Sequence, residues 1–442
     1  MKRELYGRLL EWKASVRRKP LLLQGARQTG KTWLLLDFGG REYDRVLHCD
    51  FERNPGLQSL FEGNLDPSRI LADLKAWSGV DIRPEKDLLV FDEIQQCPRA
   101  ITSLKYFCDQ MPEYPVVAAG SLLGVKMSVP GSFPVGKTDF LTLHPLHFGE
   151  FLTAVGKDGL RLRLAEADPK ESLPGLFHEE LVRLLRMYLI TGGMPEVVAA
   201  HADGAGWEEV RRLQEGILSA YELDFAKHAP TSDIPKLSLA WESLPRHLAR
   251  ENKKFIFSAV RKGARGREYE SALRWLKDAG LVNKCWSVEH CGLPLKHYAD
   301  PNCVKVYPLD VGLLGALSSV PPGMSVENQL FTEYKGALAE TYVAQQLAAQ
   351  GMDPLYYWRS KGGRAELDFV LETEQGAIPL EVKAGVNAQA KSLRSYDQQF
   401  APPVLCRSTL LNLKLDGKVL NVPLYALPFI RGLLEQVLSA MD

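Results

Sequence analysis

Residues 25–32 read Gly25-Ala26-Arg27-Gln28-Thr29-Gly30-Lys31-Thr32, and farther along the first third of the chain stands Leu88-Leu89-Val90-Phe91-Asp92-Glu93. Glycines let backbone N–H groups curl around a phosphate, a neighbouring lysine neutralises its outer oxygens, and a threonine hydroxyl can ligate Mg²⁺. The first segment therefore reads as a cradle for a nucleoside triphosphate, taken here as ATP, with Gly25 through Trp33 as its lining. Acidic residues closing a buried apolar strand are costly unless a cation offsets them. Lys31 is expected on the β and γ phosphates, Thr32 on Mg²⁺, Asp92 on the same ion directly or through water, and Glu93 beside the attacking water. A further apolar strand, Val116-Val117-Ala118-Ala119-Gly120, ends at Ser121. That hydroxyl can sense the γ-phosphate or orient water, and a plain turn serine reads equally well. Transition-state charge also calls for a cation outside the cradle; Lys137 and several arginines are candidates, and the sequence selects none.

A second constellation lies near the carboxyl terminus. Residues 364–383 form two alternating apolar segments joined by a glycine-containing turn, carrying Glu366, Asp368, Glu381 and Lys383. A period of two puts Glu381 and Lys383 on one strand face. Paired as a hairpin, the strands let Asp368 and Glu381 converge on a divalent cation while Lys383 holds a water, with Glu340 on the preceding helix completing the acidic set. The competing reading is a solvated cross-strand ion pair.

Between residues 253 and 267 stand six basic residues and no acidic one: Lys253, Lys254, Arg261, Lys262, Arg265 and Arg267. Such a run can follow phosphates without reading bases, although charge runs are commonly solvated faces. The chain as a whole carries 54 Lys plus Arg against 54 Asp plus Glu, so a nucleic-acid surface has to be local.

These residues must be held by elements. With 442 residues the chain is long enough for about two to four domains, and 45% hydrophobic with 24% charged residues is the composition of a globular protein. Segments 20–24, 45–51, 88–91, 116–119 and 140–143 are strand candidates alternating with helical patterns, which predicts an α/β fold with a parallel sheet covered on both faces. A polar stretch over 156–175 marks a boundary, 176–250 reads as helical, and 253–315 as a smaller unit whose helix and hairpin suggest a winged helix. A helix at 332–350 and strands near 355–359, 366–371 and 378–382 follow. No apolar run approaches membrane-spanning length and the amino terminus leaves no room for a signal peptide, so a cytoplasmic location is expected. The seven cysteines are dispersed without a Cys-x-x-Cys pair, and the spacing of Cys285, His290, Cys291, His297 and Cys303 matches no usual zinc pattern.

Taken as a set, the cradle, Val90-Phe91-Asp92-Glu93-Ile94-Gln95, Ala119-Gly120-Ser121, His144-Pro145-Leu146-His147-Phe148-Gly149-Glu150-Phe151 and Thr191-Gly192-Gly193-Met194-Pro195-Glu196 resemble the prokaryotic AAA-type ATPases with a C-terminal DUF4143 region. The resemblance implies an AAA-like P-loop core (1–160), a helical lid (161–250), a winged helix (251–325) and a C-terminal α/β domain (326–442) like the PD-(D/E)xK restriction-type nucleases. It also implies adenine as the base and a ring-type homo-oligomer. Members often show Gly-Arg where this chain has Gly136-Lys137, so a catalytic arginine is not supplied there. The expected function is a DNA-associated ATPase that binds, remodels or translocates DNA, branched or broken, with a C-terminal domain able to cleave. The alternative is a nucleotide-dependent switch acting on protein partners, with the C-terminal domain as an inactive binding module.

Overall fold

The computed structural model describes residues 1–121, 136–250, 253–256, 260, 266–321, 335–383 and 391–440. Two compact units emerge, one of Lys2–His144 with Asp278–Gly280, the other of Met1, Pro145–Lys277 and the chain from Leu281 onward.

In the first unit, α1 (Leu5–Ala14), β1 (Leu21–Gln24), α2 (Lys31–Glu42), β2 (Arg45–Asp50), α3 (Pro67–Ser78), β3 (Asp87–Asp92), α4 (Pro98–Gln110), β4 (Val116–Gly120) and β5 (Asp139–Thr142) follow in order. The strands form one parallel sheet, β2-β3-β4-β1-β5. Both faces are covered, as a parallel sheet requires. Alternate residues divide accordingly: Leu22, Leu89, Phe91 and Ala118 enter one core, and Leu21, Leu23, Leu88, Val90, Val117 and Ala119 the other. Each fully buried Leu, Val or Phe contributes about 1.5–3 kcal/mol of transfer free energy. All five strands lie close to their expected positions.

The second unit opens with six helices: α5 (Phe148–Ala154), α6 (Asp158–Ala165), α7 (Gly175–Thr191), α8 (Pro195–Ala202), α9 (Trp207–His228) and α10 (Ile234–Leu248). Next come α11 (Gly266–Asp278), β6 (Val282–Val288), β7 (Ala299–Pro308), α12 (Val311–Leu317), α13 (Lys335–Ala349), β8 (Leu355–Arg359), β9 (Glu366–Thr373) and β10 (Gly376–Val382). It closes with α14 (Lys391–Phe400), β11 (Leu405–Thr409), β12 (Lys414–Asp416), β13 (Val419–Pro423) and α15 (Ile430–Ser439). Eight strands form a mixed sheet, β12-β13-β11-β10-β9-β8-β6-β7.

Here the structure departs from the winged-helix expectation. The antiparallel hairpin β6–β7 forms, but β6 also pairs in parallel with β8. The hairpin is thus the end of the large sheet rather than a wing of its own, because the second edge of β6 finds a partner in the same unit. Helices α6, α7 and α8 contribute Leu164, Leu181, Leu185 and Val198 to the core that also holds Tyr342 of α13 and Tyr357 of β8. Helix α13 is buried on nearly every side from Ala337 to Ala348.

Candidate functional site

Four loops at the carboxyl ends of the parallel strands assemble the first site, which is where open α/β sheets hold ligands. After β1 the chain must turn at once into α2. Gly25 does so with φ +153°, and a Cβ there would lie 2.3 Å from the carbonyl oxygen of Leu143, so no side chain fits without moving backbone. Gln28 (φ 66°) and Gly30 (φ 90°) complete the left-handed turns of the loop. The Thr29 hydroxyl donates to Ala26 O at 2.9 Å. Arg3, which sequence reasoning did not single out, donates to Thr29 O at 2.9 Å and to His144 O at 2.5 Å, bracing the loop from beneath. Arg27 reaches Glu52 at 3.8 Å, and Trp33 is half-exposed on the first turn of α2.

Lys31 is buried, and its ammonium donates to Gly25 O at 3.0 Å and Ala26 O at 2.8 Å. Burial pushes it down to about 8, against the pull of Glu93 and Asp92. Asp92 sits at the end of β3, 2% exposed. Burial works against its charge, yet hydrogen bonds with His48 and Thr32 hold its carboxyl below the usual range. The pairing of the threonine hydroxyl with the strand-end aspartate is the contact that the Mg²⁺ assignment demands. Two residues join them that the sequence reading missed: His48 Nε2 lies 3.2 Å from Asp92 Oδ2, and His48, Asp50 and Asp92 bring ligand atoms within 4.8 Å of one another. Period two on β2 puts His48 and Asp50 on one face, and Asp50 pairs in register with Asp92, so the signal lay in a strand already assigned.

Glu93 follows in a left-handed conformation, φ 47°, which for a non-glycine residue stores about 1–3 kcal/mol of strain. Gln95 Nε2 donates to its Oε2, and the Ser121 hydroxyl approaches the same oxygen at 3.4 Å. Burial raises its carboxyl above the ordinary value. Ser121 therefore does face the nucleotide-site acid, whereas Lys137 is spent on Asp109 at 2.5 Å.

The second site lies on one face of the large sheet, under α13. Asp368 of β9, Glu340 of α13 and Lys383 just beyond β10 lie within electrostatic reach of one another, Glu381 at the end of β10 is paired with Lys383, and Lys305 of β7, Glu366 of β9 and Lys253 join them. Lys305 is 1% exposed; its ammonium lies 2.7 Å from Glu366 and 4.0 Å from Glu340, above the Tyr357 ring. Tyr307 donates to Glu340 Oε2 at 2.9 Å, and Lys253 contacts Glu340 Oε1. Lys383 reaches Glu381 Oε1 at 2.8 Å, and the Val382 N–H donates to Asp368 Oδ2 at 2.7 Å. Burial penalises Lys305, but Glu340, Glu366 and Asp368 outweigh it and hold the ammonium above its usual value. Asp368 is pushed up to about 7, by burial first and Glu340 second. Glu381 Oε2 is buried without a hydrogen-bond partner. Glu340, Asp368 and Glu381 do not bring ligand atoms within 4.8 Å of one another as His48, Asp50 and Asp92 do, and Glu340 and Glu381 already hold lysines, so the acids as placed here do not fit a divalent cation.

Of the basic run, Lys253 is turned inward onto Glu340 and Lys254 forms an isolated antiparallel bridge with Lys305. Arg261, Lys262, Arg265 and the side chain of Arg267 lie outside the described residues.

A phosphate-cradling loop between a buried strand and a helix, with its threonine bonded to the acid of a neighbouring strand, defines a P-loop nucleoside triphosphatase. Family models match an AAA domain over residues 17–152, a domain of unknown function (DUF8612) over 182–323 and a domain of unknown function (DUF4143) over 335–427. The chain is thus an AAA-type ATPase with a C-terminal DUF4143 domain. The DUF8612 match runs across the boundary expected at residue 250. Similar solved structures include a Walker-type ATPase of Pyrococcus abyssi, 16% identical over 72% of this chain and 95% of that one with a TM-score of 0.43. The Aeropyrum pernix ORC1 protein in complex with DNA is 14% identical over 72% and 91%, TM-score 0.28. AMPPCP-bound DnaA from Aquifex aeolicus is 14% identical over 62% and 85%, TM-score 0.28. No curated protein matches the chain. Among the described residues no helix is long and apolar enough to cross a membrane.

Proposed function

We propose that this chain is a DNA-associated ATPase whose hydrolysis drives binding, remodelling or translocation of DNA, with branched or broken molecules as the substrate class. The observation that carries the reading is the Thr32–Asp92–Glu93 arrangement in a chain that also bears a buried carboxylate and lysine centre with an orphaned glutamate oxygen. In the nucleotide site Lys31 exchanges the carbonyls of Gly25 and Ala26 for phosphate oxygens, and the positive end of α2 faces the same charge. Mg²⁺ held by Thr32 and Asp92 would neutralise the β and γ oxygens. Glu93, oriented by Gln95 and Ser121, accepts a hydrogen bond from the attacking water and aligns it. In the second unit, cleavage would require Glu340 and Glu381 to exchange their present lysine pairing for a divalent ion, shared with Asp368, that polarises a phosphodiester, with Lys383 steadying the water. The partners implied are DNA and further copies of the chain, in the cytoplasm.

The second reading is a nucleotide-dependent switch acting on protein partners, with the C-terminal domain as a non-cleaving binding module, favoured by the lysines already paired with Glu340, Glu366 and Glu381. ATP hydrolysis measured with Mg²⁺, alone and with single-stranded, duplex and four-way-junction DNA, separates the two, with Lys31→Ala as the inactive control. Stimulation by one DNA form supports the first reading. An unchanged rate with all three, together with nucleotide-dependent oligomerisation, supports a switch acting on protein partners.

A further inference from the structure

The carboxylate of Asp92 is gripped from two sides. The Glu93 N–H donates to Oδ1 at 3.0 Å, and His48 Nε2 stands 3.2 Å from Oδ2. Burial works against the charge of Asp92, yet the bonds with His48 and Thr32 hold its carboxyl below the usual range, so the group is ionised and can only accept. The proton of the contact therefore lies on Nε2, and His48 is the donor.

His48, Asp50 and Asp92 bring ligand atoms within 4.8 Å of one another, but the hydrogen bonds divide them. A ring nitrogen that carries its proton toward Asp92 offers no lone pair to a metal. Asp50 is turned onto its own loop: Oδ1 accepts from the Glu52 and Arg53 N–H groups, each at 2.9 Å, and Oδ2 lies 3.4 Å from Arg53 Nε. His48 thus serves one carboxylate while the carboxylate beside it is occupied elsewhere. The fold does not need that service. His48 pairs in register with Val90 and Asp50 with Asp92 along the parallel β2–β3 ladder, so main-chain bonds join the strands whatever side chain stands at 48. What the imidazole adds is direction. With Oδ1 on the Glu93 amide and Oδ2 on His48, the carboxylate cannot swing, and it meets the Thr32 hydroxyl in one orientation before any ion arrives.

We propose that His48 is a positioning residue for the nucleotide-site cation: by fixing Asp92 Oδ2 it pre-orients the carboxylate that receives Mg²⁺ with Thr32, and so sets how much Mg²⁺ the ATP-bound protein needs. The inference rests on reading Thr32 and Asp92 as the holders of that ion. Outer partners that orient a metal-binding group are worth about 10–100-fold in metal affinity.

The test is titration calorimetry of the full chain with AMPPCP, a non-hydrolysable ATP analogue, in EDTA and at rising free Mg²⁺. His48→Phe keeps a flat ring and removes the N–H. It should bind the analogue as the parent does in EDTA, while the Mg²⁺ needed for half of the tightening rises by about 10–100-fold. His48→Gln, whose amide N–H can reach the same oxygen, should restore most of the Mg²⁺ response. ATP hydrolysis should divide in the same way, with KM for Mg²⁺ raised in His48→Phe and kcat recovered at saturating Mg²⁺. His48→Leu repeats the measurement if phenylalanine perturbs folding, with thermal melting as the check. Equal weakening in EDTA and in Mg²⁺ would give His48 a purely structural role and overturn the proposal. A parental Mg²⁺ response in His48→Phe, lost in Asp92→Asn, overturns the role of His48 and leaves the Mg²⁺ reading standing. A parental response in Asp92→Asn as well overturns both. Mn²⁺ bound without nucleotide, and lost alike in His48→Phe and Asp50→Asn, would make the trio a metal site of its own and overturn the donor role.

Discussion

Glu93 combines a strained backbone, a carboxyl raised by burial and two hydrogen-bonding neighbours aimed at one oxygen. Strain of this kind persists only where its surroundings enforce it, and it concentrates at sites of chemistry. Glu93→Gln preserves the shape and removes the acceptor charge, so hydrolysis should fall by about 10²–10⁴-fold while ATP binding is retained. Fluorescence of the half-exposed Trp33 on ATP addition reads binding separately from turnover. Asp87 is the contrasting case, an acid with a purely structural task. Fully buried at the start of β3, it accepts from the Arg83 N–H at 2.8 Å, from Arg83 Nη2 at 2.7 Å and from Arg45 Nη2 at 2.9 Å. The Arg83 bonds first, then those of Arg45, outweigh burial and hold its carboxyl far below the usual range. A depressed folded value means that the stabilisation is present above the unfolded carboxylate range and is lost as pH falls through the folded one. Asp87→Asn should therefore cost about 2–3 kcal/mol in urea unfolding at pH 7, and the deficit should shrink below about pH 4. A deficit unchanged by acid would mean that packing rather than charge holds this corner.

At the scale of elements, two of the motifs that carry the family resemblance, 144–151 and 191–196, are partners in packing. The Leu146 N–H donates to Gly193 O at 2.7 Å, Tyr188 of α7 donates to Leu146 O, and the Gly193 N–H donates to the buried Asp310 at 2.6 Å. Gln345 and Gln346 of α13 close the network on Asp310 at 2.8 Å and on the Phe148 N–H at 2.8 Å. A Cβ on Gly193 would stand 2.0 Å from Leu146 O. Gly193→Ala should thus destabilise the protein by about 2–4 kcal/mol in thermal or urea unfolding, with the first-unit residues unaltered. A neutral effect would show that the α7–α8 corner can shift at little cost. The strands of the first sheet and β8–β10 of the second were legible because each is a short apolar run bounded by turn residues, and the P-loop because its spacing has one mechanical purpose, whereas β11, β12 and β13 were not singled out. Partners across the chain were not. Lys305 reads locally as one lysine in an apolar strand, and only the fold shows Glu340 arriving from a helix and Glu366 from a strand three positions away in the sheet. Arg3 and His48 were hidden for the same reason, since long-range pairing leaves no trace in local periodicity. The hairpin β6–β7 was read correctly as a hairpin and wrongly as a module, because nothing in its own residues says where the free edge of β6 will pair.

For the molecule as a whole, a formal net charge of zero removes any general attraction to a polyanion. On the proposed reading DNA is engaged at a local surface, for which the basic run ending at Arg267 is the candidate, and the salt dependence of binding counts the phosphates engaged. Charge reversal of Arg261, Lys262, Arg265 and Arg267 should lower affinity for duplex or junction DNA and flatten the slope of log K against log salt by about 3–4. Lys253 should behave differently. With its ammonium on Glu340, it is already neutralised from within, so Lys253→Met without divalent metal should leave that slope nearly unchanged. A slope that falls by about one with this single substitution would place Lys253 on a phosphate instead of on Glu340. DNA-stimulated hydrolysis should follow the same salt curve as binding, because a motor coupled to DNA loses its stimulus as its contacts are screened. Hydrolysis indifferent to salt and to the charge-reversed run would detach the nucleotide cycle from nucleic acid and turn the search toward a protein partner.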